Sequence, residues 1–137
     1  MRAISLWQPW ASAWLTDLKH FETRDWYTGY RGPLLVHAAK KQDGEVRAAF
    51  RDEELVADLL SVDFIGASYG AIIGQVDLIG CSLMDRMPQP SEREARWGNW
   101  HRDRYAWERG PNVIVFPRPI PYRGYQGFFN VDPAVVR

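Results

Sequence analysis

The spacing of apolar and polar residues changes several times along this chain, and each change predicts an element. The run Arg2-Ala-Ile-Ser-Leu-Trp7 alternates and predicts a strand. Gln8-Pro9-Trp10 then opens a helix, with Pro9 suited to the first turn, where its missing N–H has no partner to lose. Trp10, Ala13 and Trp14 share one helical face, so they are expected to pack inward, and the helix is expected to run to about Lys19. From His20 to Trp26 the period becomes two. His20, Glu22, Arg24 and Trp26 share one face of a strand, and Phe21 and Thr23 take the other.

Further on, Tyr30-Arg-Gly-Pro33 reads as a turn and Leu34-Leu-Val-His-Ala38 as a largely buried strand. Residues 43–62 have helical spacing, with Asp52 placed to cap the second half ahead of Leu55, Val56 and Leu59. Ala71–Ile79 alternates as a strand. Ser82–Asn99 is a polar loop with a helical turn at 91–96. Tyr105–Glu108, Asn112–Phe116 and Gly127–Val131 are short strands, the last two separated by Pro117-Arg-Pro-Ile-Pro121. With no βαβ rhythm, repeat or linker, the expectation is one domain over residues 1–137 of α+β, mainly β class. It would be a small β-barrel of about six strands, closed or nearly so, with helices packed on it.

Composition narrows the function. The 137 residues are 46% hydrophobic, which fits one globular core. Seven tryptophans are unusual in so short a chain; a core can absorb much of that aromatic area, and some of it is expected to serve binding. Seventeen basic residues balance seventeen acidic ones, which lacks the footprint of a strong duplex-DNA binder. The balance is not local. Lys19 to Arg51 is rich in lysine and arginine, and Asp52, Glu53, Glu54, Asp58 and Asp63 follow as an acidic, exposed helix face. Cys81 stands alone, so no internal disulfide forms and a reducing compartment is implied. The first residues are too quickly polar for a signal peptide and no apolar run spans a membrane, so the expected location is the cytoplasm.

No G-x-S-x-G, P-loop, G-x-G-x-x-G or H-E-x-x-H is present, and the histidines His20, His37 and His101 are scattered. No metal or cofactor is expected. What remains is Lys19, Glu22 and Arg24, flanked by Trp14 and Trp26. The trio reads either as the wall of a polar pocket with aromatic neighbours or as a salt-bridged surface strand. In a pocket, Glu22 would accept from the edge of a base, and Lys19 would hold a phosphate or serve in proton transfer. Trp97 and Trp100 lie among Arg93, Arg96, Arg102 and Arg104, where they would either stack on unpaired bases or cover the barrel's open end. His37 on a buried strand reads first as a hydrogen-bonded core residue, and Lys40 could reach the same cleft as Lys19. Trp7 reads first as core, with Trp10 and Trp14, and at a strand end it could still contribute to that cleft; Gln126 precedes Gly127, where a ligand could approach the backbone.

Lys19-x-x-Glu22-x-Arg24 resembles the G-x-K-x-x-E-x-R signature of the ASCH domain, a branch of the PUA-like superfamily. The order of its surroundings agrees: Ile4-Ser-Leu-Trp7-Gln8-Pro9-Trp10 before it, then Tyr30-Arg-Gly-Pro33 and His37-Ala-Ala-Lys40. Tyr105-Ala-Trp107, Pro119-Ile-Pro121 and Gly124-x-x-Gly127 resemble the closing strands of short bacterial and phage members. Asp17 stands where the family usually has glycine, which is expected to alter the turn ahead of Lys19. The resemblance implies a PUA-like barrel with a cleft against the helices and RNA, nucleotide or nucleoside ligands. Some family members are linked to hydrolysis of acylated cytidine or of single-stranded RNA. In the former branch the proposed nucleophile is a threonine at the place of Glu22, so that chemistry does not carry over.

The binding set expected from these readings is Trp7, Gln8, Lys19, Glu22, Arg24, His37, Lys40, Trp97, Trp100, Tyr105 and Gln126, with Lys19 and Glu22 as catalytic candidates. The first function is binding of RNA or a nucleotide in a polar-aromatic cleft. The alternatives are a metal-independent hydrolase of RNA or a modified nucleoside, and a protein-interaction module built on exposed Trp97 and Trp100.

Overall fold

A computed structural model describes residues 1–64 and 66–136. Its centre is a seven-stranded sheet: β1 (Arg2–Leu6), β2 (Phe21–Arg24), β3 (Gly32–Ala38), β4 (Ala71–Leu83), β5 (Tyr105–Arg109), β6 (Ile114–Pro121) and β7 (Phe128–Asn130). The order is β2-β5-β4-β3-β1-β7, with β6 pairing β4 beside β5. Only β1 and β3 are parallel, so their carboxyl ends open on the same side of the sheet. Four short helices complete the fold: α1 (Trp10–Trp14), α2 (Glu45–Ala49), α3 (Glu53–Ser61) and α4 (Glu92–Arg96).

The α+β class is as expected, but the sheet is not closed into a barrel. The end strands β2 and β7 have four and three residues and pair only with β5 and β1. Side chains bring the two ends together instead. Phe128 of β7 packs edge-on against Trp26, just past β2, at 5.3 Å between centroids, and lies 5.4 Å from Trp107 of β5. The curl encloses a core of Ile4, Leu6, Trp14, Leu34, Val36, Val76, Leu78 and Trp107. A second cluster on the other face joins Ala3, Leu35, Ile72, Phe129 and Val131, and a third seats Ala13, Leu18, Leu55, Leu59 and Trp97 under the helices. Trp14, Trp97 and Trp107 are fully buried. Truncating any one to alanine is expected to cost about 3–5 kcal/mol.

Local sequence explains several boundaries. Asp52 caps α3 by accepting from the amides of Glu54 and Leu55, each at 3.0 Å, and Leu55 and Leu59 bury the apolar face. Ser91 caps α4 through the Glu94 amide. The Glu94 carboxylate does not return to the cap; it accepts from the amides of His20 and Phe21 at the head of β2.

Other boundaries differ from the expectation. Pro9 lies one residue before α1, and that helix stops at Trp14 rather than near Lys19. The Arg109 guanidinium takes the carbonyls of Trp14 and Thr16, while the Thr16 hydroxyl donates to Ala13 O, so the next turn cannot form. Gly32 and Pro33 belong to β3 rather than a turn, and β4 continues to Leu83 because its second half gains β5 as a neighbour. The proline-rich stretch is not a separator; it is the second half of β6. This strand pairs on one side only, so N–H groups facing away from β4 are dispensable there. Asp17 introduces no strained turn: among the described residues the single non-glycine with positive φ is Asp63.

Candidate functional site

A cleft of about 1540 Å³ opens at the carboxyl ends of β1 and β3. Ser5, Leu6 and Trp7 enter it from β1 and the residue after it, His37, Ala39 and Lys40 from the end of β3, and Lys19, Glu22 and Arg24 from β2 and its approach. Its remaining lining includes Arg96, Gly98, Asn99 and Arg104 and residues 121–127, from the last residue of β6 toward β7.

Lys19 is only 1% exposed, and its ammonium is paired directly with the Glu22 carboxylate. The other Glu22 oxygen lies 3.6 Å from the Arg24 guanidinium, which also sits 5.9 Å from the Trp26 ring centroid. One carboxylate therefore answers two cations, leaving the trio with a single net positive charge. The geometry explains how so polar a group is buried: each charge has an opposite neighbour. Among the described residues no buried side-chain nitrogen or oxygen lacks a partner.

Six lysines and arginines line the cleft against three carboxylates, although the chain as a whole is neutral. Their commitments differ. Arg96 is tied to Asp58 at 3.1 Å and Glu54 at 3.0 Å, and Arg104 bonds the carbonyls of Thr23 and Asn99. Lys40 and Arg123 form no ion pair among the described residues. The Lys40 stem lies over Gly70, whose φ of +65° and close contact (a Cβ there would fall 2.9 Å from Lys40) both call for glycine. Two exposed aromatics sit on the rim. Trp7 is 39% exposed, with the Lys41 ammonium 3.6 Å from its ring centroid, and Tyr125 is 52% exposed, with the Arg123 guanidinium at 5.4 Å.

His37 is 1% exposed, and both ring nitrogens are engaged. Nε2 lies 2.7 Å from the Tyr122 carbonyl and Nδ1 2.8 Å from Ser5 Oγ. A carbonyl only accepts, so Nε2 carries the proton and Nδ1 accepts from the serine hydroxyl. Burial lowers the His37 pKa, an effect the Tyr122 hydrogen bond partly offsets.

Of the expected binding set, Trp7, Lys19, Glu22, Arg24, His37, Lys40 and Gln126 meet on this cleft. The rest lie elsewhere. Gln8 is fully buried and spends its amide on Ser12 and the Ser68 carbonyl. Trp97 is fully buried in the helical cluster, its indole N–H donating to Asp58 at 2.8 Å. Asp58 is thus not part of a purely solvated acidic face. Trp100 donates to the Glu94 carbonyl and packs edge-on against Phe21. Tyr105 packs on the core and against Tyr27.

The sequence reading missed Ser5, Tyr122, Arg123 and Tyr125. The run Pro121-Tyr-Arg-Gly-Tyr-Gln-Gly127 did carry a signal, two aromatics and a cation gathered around Gly124. Ser5 carried none beyond its place in an alternating strand. Cys81 is buried, and burial raises its thiol pKa, which disfavours the reactive thiolate. The described residues hold no cluster of three or more His, Cys, Asp or Glu suited to a metal, and no helix long and apolar enough to cross a membrane.

Activating signal cointegrator 1 of Homo sapiens is 35% identical over 88 residues, covering 57% of this chain, and the Mus musculus protein of the same name matches equally. The match spans 14% of the length of those relatives. The ASCH domain family model matches residues 4–131, nearly the full sheet from β1 to β7, and the chain belongs to the ASCH domain family, within the PUA-like superfamily.

Proposed function

We propose that the cleft binds a short single-stranded RNA or a nucleotide, with phosphate held by Lys40 and Arg123 and a base stacked on Trp7 or Tyr125. The observation that carries this reading is the concentration of positive charge in one cleft of a neutral chain. A flat ring and an anion are the two features that such a cleft, rimmed by exposed aromatics, recognises together. Lys19 plays a supporting part: its ammonium is committed to Glu22, so it sets the local field rather than gripping a phosphate.

The other readings have less support. Ribonuclease chemistry through Lys19 and Glu22 would first have to break their mutual ion pair. A protein-interaction surface built on Trp97 and Trp100 lacks its anchors, because one is buried and the other hydrogen-bonded and packed.

Fluorescence titration with mononucleotides and short single-stranded oligonucleotides, at two or more salt concentrations, tests the proposal. Trp7→Ala should weaken binding by about 1–3 kcal/mol if a base stacks there. Lys40→Ala and Arg123→Ala should each reduce the slope of log K against log salt by about 0.7 per lost phosphate contact. Affinity and slope unchanged in all three variants would exclude this cleft as the binding face.

A further inference from the structure

We propose that Ser5 and His37 form a nucleophile–base dyad that cleaves a carboxylic ester carried by an anionic molecule. Three features of the fold converge on this pair. The parallel register of β1 and β3 sets Ser5 directly opposite His37. The β3–β4 pairing shifts register between Val36 and His37, and such irregularities re-aim the side chain that follows. Gly124 passes over both groups so closely that a Cβ there would fall 2.6 Å from His37 Cε1 and 3.0 Å from Ser5 Oγ.

The hydrogen bonds run in one direction. Tyr122 O accepts from Nε2, which leaves Nδ1 unprotonated and facing the Ser5 hydroxyl. Both groups line the cleft, Ser5 half-buried and His37 almost wholly screened from water. This is the order that nucleophilic catalysis needs: an accessible hydroxyl, a base within hydrogen-bond reach and a third group fixing the tautomer. The lowered His37 pKa keeps the ring neutral, and so able to accept a proton, at neutral pH.

Ser5 Oγ forms the new bond to the ester carbonyl carbon as its proton passes to Nδ1. The tetrahedral adduct collapses, the carbon–alkoxy bond breaks, and the leaving oxygen takes the proton from Nδ1. Water then attacks the acyl-serine, giving its proton to Nδ1, and Ser5 leaves with that proton to release the acid. The third member is a carbonyl and not a carboxylate, so it steadies the imidazolium less. That limits the dyad to esters, whose leaving group is better than an amide's. The anionic carrier rests on the preceding reading of the cleft, in which Lys40 and Arg123 meet a phosphate; the dyad itself does not.

A neutral fluorophosphonate probe tests the dyad without relying on nucleotide binding. Intact-mass and peptide analysis of the full chain should place the adduct on Ser5 and find none in Ser5→Ala. His37→Gln keeps a donor for Tyr122 and an acceptor for Ser5 but removes the base, so labelling should slow by about 10²-fold or more with melting at neutral pH unchanged. An unlabelled wild-type Ser5, or a His37→Gln protein labelled as fast as wild type, would overturn the dyad. Hydrolysis of a phosphate-bearing aryl ester should outpace that of its neutral counterpart, and the gap should close in Lys40→Ala/Arg123→Ala. Equal rates for the two esters in wild type would overturn the anionic carrier.

Discussion

Lys19 and Arg109 are both buried cations, 1% and 6% exposed, yet the protein compensates them in different ways. Lys19 faces a carboxylate at the cleft, and that carboxylate is shared with Arg24. Arg109 faces carbonyls: Trp14 O at 2.7 Å, Thr16 O at 2.6 Å and Gly110 O at 3.1 Å. Burial lowers the Arg109 pKa, with Asp17 and Glu94 opposing the change, and the guanidinium stays charged. A cation bound by carbonyl dipoles ends a helix and ties it to β5. A cation bound by a carboxylate builds a polar wall whose charge a ligand can sense. Position in the fold, and not burial, separates the cation that ends a helix from the cation that lines the cleft.

The sharpest break of this contrast is Arg109→Ala. Three carbonyls would lose a charged donor in one step, and a loss of about 3–5 kcal/mol is expected in urea denaturation. Nucleotide affinity per folded molecule should stay as in wild type. Loss of affinity in folded protein would mean that the α1 end communicates with the cleft.

Lys19→Ala should follow closely, at about 3 kcal/mol or more, because it strands the buried Glu22 carboxylate with only Arg24 at 3.6 Å. Lys19→Ala should also weaken nucleotide binding, and the double variant Lys19→Met/Glu22→Gln should recover most of the stability while that binding stays weak. Recovery of both would show that the pair serves folding alone.

Asp58→Ala probes the support of the Lys19 wall. It removes the acceptor of Trp97 Nε1 and Arg96 Nε, which hold α4, and α4 in turn anchors β2 through Glu94. About 1–2 kcal/mol is expected. Hydrogen exchange should quicken at His20 and Phe21, but not at the amides around Arg109.

The smallest effect concerns His37, which the fold accommodates in a third way, by leaving it neutral. Its folded pKa lies below the reference 6.5. Between those two values the unfolded chain binds the extra proton, so stability rises with pH there. The contribution is complete above 6.5 and is lost as pH falls through the lower folded value. His37→Gln should flatten this slope in melting curves recorded across that window; an unchanged slope would assign the acid sensitivity to carboxylates.

Adjacent residues alone determined much of this protein. Alternation marked β1, an apolar run marked the core of β3, Asp52 announced the start of α3, and Lys19, Glu22 and Arg24 marked one wall of the cleft. Caps and periodicities act over a few residues, so their signal lies in the string itself. Tertiary structure decided what depended on distant partners. Arg109 ends α1 from 95 residues away, and His37 joins Ser5 and Tyr122 across separations of 32 and 85. Trp97 became core because Asp58, 39 residues before it, accepts its indole proton. The same composition would have suited a surface platform. Burial and hydrogen-bond partners belong to pairs of residues, and only the folded chain brings those pairs together.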